Sequence, residues 1–66
     1  MAVEQWRAEF AAITRSQASA DRLISLITAY TKRSLWTWEE TAEATKRDLL
    51  KGKSVEEIVQ WFTNLI

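Results

Sequence analysis

The sequence predicts an all-α fold, a compact bundle of four short helices, and three observations carry that reading. Apolar residues recur at helical spacing in four separate segments. Thr37-Trp38-Glu39-Glu40 and Ser54-Val55-Glu56-Glu57 both match the capping box that opens a helix. There is no proline, and the one glycine, Gly52, stands where a third helix would end. The expected helices cover about residues 2–15, 20–35, 38–51 and 55–66, within a single domain of 66 residues.

In the first helix Val3, Trp6, Phe10 and Ile13 share one arc, with Glu4, Arg7 and Arg15 on the other side. The pattern decays at Ser16-Gln17-Ala18-Ser19, a short connection rich in capping chemistry. Either Ser19 or Ala20-Asp21 can open the second helix: Ser19 is the better N-cap, and Asp21 suits the dipole. Along that helix Leu23, Ile24, Leu26, Ile27 and Tyr30, continued by Ser34, cover an arc of roughly 160°, wider than the stripe of a surface helix. One neighbour cannot cover such a stripe, so this helix is expected at the centre. Lys32 and Arg33 are expected in its last turn, where positive charge suits the C-terminal end.

The third helix carries a narrow line of Trp38, Ala42, Thr45 and Leu49, with Glu43 and Arg47 spaced to pair at i,i+4. It is expected to be the most exposed of the four. The joint at Gly52–Ser54 is so short that helices 3 and 4 are expected to form a tight pair. Helix 4 brings Val55, Ile58, Val59, Phe62, Leu65 and Ile66 into an arc of about 120°, with Trp61 at its edge. Leu65 and Ile66 are expected to dock on the core. Segment 49–62, LLKGKSVEEIVQWF, resembles in its grammar the helix joints of many bacterial and phage proteins.

Composition narrows the function. A domain this small buries only about 60% of the surface of its unfolded chain, so its stability is marginal. With no Cys and no His, disulfides and the usual zinc, haem and iron–sulfur ligand sets are excluded. The common nucleophile–base arrangements go with them, and a lone glycine makes no phosphate loop. Glu39 and Glu43 share a face that suits a hard cation, yet capping and the helix dipole already account for Glu39 and Glu40, and the Arg47 pair for Glu43. No catalytic, cofactor-binding or metal-binding residue is therefore assigned, and an enzyme is not expected. The opening Met-Ala-Val-Glu lacks the regions of a signal peptide, and no apolar run reaches the roughly 18 residues of a membrane span. A cytoplasmic chain with no membrane role is the expectation, and the lack of Cys fits a reducing compartment.

Nine basic groups balance nine acidic ones, which offers no global attraction for nucleic acid. A helix-turn-helix regulator remains the alternative, with Lys46, Arg47, Lys51 and Lys53 touching phosphates. Against it, the first turns of helices 3 and 4 are acidic, and residues 55–66 hold no Lys or Arg. Surface recognition is left as the expected function: an adaptor, inhibitor or regulatory subunit that binds another protein. Tyr30, Trp36 and Trp61 are the candidate contacts, because Trp and Tyr are enriched at interface hot spots. A second copy of the chain is the other partner such a surface suits.

Overall fold

Residues 2–65, described by a computed structural model, form four α-helices: α1 (Val3–Thr14), α2 (Gln17–Thr31), α3 (Trp38–Leu50) and α4 (Val55–Leu65). The all-α bundle is as expected, and its joints show how local chemistry sets it. Arg15 ends α1 in the left-handed region at φ 58°, and the next residue already caps α2. Ser16 Oγ accepts from the Ser19 N–H at 3.1 Å. Helix 2 therefore starts three residues before the expected position, and Ser19 is a donor to the cap, not the cap itself. Asp21 falls beyond the first turn and binds sideways, accepting from Arg7 Nη1 at 2.6 Å and Gln17 Nε2 at 3.3 Å.

Helix 2 also stops earlier than expected, at Thr31. The Thr31 hydroxyl donates to the Ile27 carbonyl at 2.9 Å, and Lys32 is the C-cap. Lys32 and Arg33 thus lie at and beyond the end of α2, outside its last turn, and Ser34 leaves the helical line. The reason is geometric: the chain has only residues 32–37 in which to reverse into α3. Ser34 Oγ accepts from the Trp36 N–H at 3.0 Å and so shapes that turn.

The Thr37 capping box is complete. Thr37 Oγ1 accepts from the Glu40 N–H at 3.1 Å, and Glu40 Oε1 accepts from the Thr37 N–H at 2.9 Å. At the other end of α3, Gly52 adopts φ 102°. Its N–H donates to the Leu49 carbonyl, and the Lys53 N–H to that of Asp48, both at 3.1 Å, which is a Schellman closure. The second box is only half made. Ser54 Oγ accepts from the Glu57 N–H at 3.1 Å, while Glu57 Oε1 accepts from the Ser54 hydroxyl at 3.3 Å.

The core forms around α2, which packs against all three other helices. Ala20, Leu23, Ile24 and Ile27 of α2 meet Trp6 and Phe10 of α1, Trp38 and Ala42 of α3, and Ile58 and Phe62 of α4. Trp6 and Trp38 meet edge-on at 6.5 Å between ring centroids, and Trp38 Nε1 donates to Thr28 Oγ1 at 3.1 Å. The central place read from the wide stripe is correct.

Four expectations about the other helices are not. The closest backbone packing joins α1 to α2, with Arg7 bound to Asp21 across it, whereas α3 and α4 meet over few residues. A short joint brings helix ends together, but only facing apolar stripes bring their lengths together. The most exposed helix is α4, with seven of its eleven residues exposed against five of thirteen in α3. Helix 3 is sheltered because Thr41 buries beside the expected line of Trp38, Ala42 and Thr45, the Thr41 and Thr45 hydroxyls donating to the carbonyls of Thr37 and Thr41. Glu43 and Arg47 do not pair among the described residues; the Glu43 charge acts on Lys46 instead. Leu65 is 52% exposed and so is not docked, while Ile66 lies outside the described residues.

Candidate functional site

Tyr30, Trp36 and Trp61 come from α2, the α2–α3 joint and α4, and the fold brings all three to one open cleft of about 370 Å³. Tyr30 is placed by the last full turn of α2, and Trp36 by the Ser34 turn just before the Thr37 cap. Trp61 is placed by Phe62, its neighbour in α4, whose ring is fully buried. Tyr30, Trp61 and Phe62 form one aromatic wall: centroids lie 5.7 Å apart for Tyr30–Trp61, 5.6 Å for Tyr30–Phe62 and 5.1 Å for Trp61–Phe62. Trp36 and Trp61 each keep about half their surface in water, at 52% and 53% exposure. Their position is neither core nor free surface.

The floor and rim of the cleft differ in chemistry. Thr41, Ala44 and Thr45 of α3 with Ile58 and Phe62 of α4 make the floor. Both threonine hydroxyls are spent on carbonyls of their own helix, so the floor presents mainly methyl and ring surface. Charge sits at the rim, where Lys53 Nζ is 3.9 Å from Asp48 Oδ2 and Glu57 stands at the start of α4. Such an arrangement is matched in shape and chemistry to an apolar group with a charged edge.

The candidate cations Lys46, Arg47, Lys51 and Lys53 are not gathered into one patch. Lys46 turns toward α1, with Nζ 2.7 Å from Glu9 Oε1 and 5.9 Å from the centroid of the Trp6 ring. The Glu9 hydrogen bond and charge hold its pKa above the ordinary lysine value. Lys53 turns the other way, to the cleft rim, while Arg47 and Lys51 remain exposed on α3 and its cap.

The helix ends carry the other perturbed groups. Backbone and side-chain hydrogen bonds from Thr37 hold the Glu40 carboxyl below the usual glutamate range. Arg7 and Gln17 do the same for Asp21, whose partner Arg7 is raised. These shifts belong to capping and to the α1–α2 seam. No three acidic side chains converge on a metal-sized site among the described residues, so Glu39 and Glu43 gain no third ligand. No described helix is long and apolar enough to cross a membrane.

The cleft floor escapes sequence reading. Its only sequence signal is the row of small residues Thr41, Ala44 and Thr45 on α3, which reads equally well as ordinary helix packing. Comparison with known proteins adds nothing to the geometry: no protein-family model, curated protein or solved structure matches the chain.

Proposed function

We propose that this chain is a non-enzymatic protein-binding module whose docking surface is the aromatic cleft. The observation that supports it is the half exposure of Trp36 and Trp61 beside an apolar groove, in a domain whose core closes without them. A large aromatic with one face packed and the other open gives up little side-chain entropy on binding and brings much apolar area. The mechanism is occlusion or bridging: an apolar segment of the partner seats against Tyr30, Trp36 and Trp61, and the charged rim orients it. An adaptor, an inhibitor or a regulatory subunit works in this way. In this reading the chain acts in the cytoplasm, in keeping with its lack of cysteine.

The test is capture of partners from source-cell lysate on the tagged chain, with nuclease treatment and a salt series. A defined protein retained at high salt by the wild type and lost with Trp61→Ala is the expected result. Nucleic acid recovered instead, released steeply by salt and lost when Lys51 and Lys53 become Glu, overturns the reading in favour of a DNA-binding regulator.

A further inference from the structure

The turn between α2 and α3 carries an apolar residue with no role in this fold. Leu35 is fully exposed, more so than any other large apolar side chain of the described residues. The same turn carries Lys32 and Arg33, which take part in no ion pair among those residues, and Trp36, which lines the cleft. Across the cleft the first turn of α4 has the opposite character. Glu56 and Glu57 are exposed and likewise outside any ion pair, and α4 carries no Lys or Arg. One edge of the patch is thus a basic knob, and the other is the lip of an apolar hole, where Glu57 and its neighbour Glu56 stand beside the Lys53–Asp48 pair and leave the lip with an excess of negative charge.

Such a patch is complementary to itself. A two-fold axis lying in the patch, between the turn and α4, sets the turn of each copy against α4 of the other. We propose that a second copy of this chain occupies the cleft, each Leu35 entering the hole of the other copy while Lys32 and Arg33 meet Glu56 and Glu57. This names the occupant of the docking surface proposed above and rests on that reading. The apolar part of the patch, Leu35, Trp36 and Trp61, leaves on the order of 400 Å² uncovered, about half of what each side of a standard interface buries. The pair is therefore a weak, concentration-dependent dimer of complete monomers, and another protein displaces it by competing for the cleft.

Sedimentation velocity from about 1 to 500 µM, at low and high salt, tests this. The wild type is expected to pass from monomer to dimer in that range. Leu35→Ser is expected to weaken pairing at least about ten-fold at unchanged melting temperature, since the side chain supports nothing in the monomer. Arg33→Glu is expected to weaken pairing, and adding Glu57→Arg to restore it in part. A wild type that stays monomeric throughout, or a dimer indifferent to Leu35→Ser, overturns the proposal. If lysate capture still depends on Trp61 in that case, the protein-binding reading stands and only its occupant is wrong.

Discussion

Arg15 and Gly52 both adopt positive φ, at 58° and 102°, but only one of them is suited to it. A residue with a Cβ pays about 1–2 kcal/mol in the left-handed region, and glycine does not. Arg15→Gly should therefore raise stability by about 0.5–1 kcal/mol, after the greater chain entropy of glycine is deducted. A Cβ built on Gly52 meets nothing within 4 Å, so Gly52→Ala probes backbone strain alone. It should lower stability by about 1 kcal/mol, roughly 4–8 °C in melting temperature for a domain of this size. Thermal melts of the two variants should move in opposite directions.

At the scale of the helix, the two capping boxes are unequal. Thr37 and Glu40 satisfy each other's backbone N–H groups, whereas Ser54 receives only a side-chain contact from Glu57. Thr37→Ala should cost about 1 kcal/mol. The same box gives α3 a pH dependence. Glu40 and Asp21 have pKa values depressed by hydrogen bonds, so their stabilisation is present above the unfolded-state carboxylate values, near pH 4. It is lost as pH falls through the folded values. The melting temperature should stay level from neutral pH to about 5 and fall below 4, less steeply in Glu40→Gln. The raised Lys46 works in the opposite sense: its contribution is present below the unfolded lysine value and fades only above about pH 10.

For the whole molecule, the dimensions say that the core is closed. The radius of gyration of 10.7 Å matches the roughly 10.8 Å of a well-packed chain of this length. The accessible surface of 4413 Å² is close to the roughly 4,300 Å² expected for its mass. The exposed faces of Trp36 and Trp61 therefore do not come from a loose fold. Total stability of such a domain is on the order of 3–10 kcal/mol. Phe10→Ala, which empties a fully buried site, should remove about 3–5 kcal/mol and leave much of the chain unfolded. Trp61→Ala should cost only about 1–2 kcal/mol, because half the ring is already in water. Urea titrations should separate the two, and a Trp61 loss as large as that of Phe10 would place the indole in the core.

Local chemistry determined most of the fold. Four helices, the Thr37 box, the Gly52 ending and the central place of the Leu23–Tyr30 stripe all follow from groups within about one or two turns of each other, where period and capping act. The end of α2 and the burial of α3 were not legible in this way. The first depends on how much chain is needed to reverse direction, the second on Thr41, which buries beside the expected line once its hydroxyl turns back on its own helix. The sequence also nominated Tyr30, Trp36 and Trp61 by residue type, but only the tertiary structure put them on one cleft and sent Lys46 and Lys53 to opposite sides of α3. How far each helix is rotated about its axis is decided by side chains from all four at once, and no single stretch of sequence contains that balance.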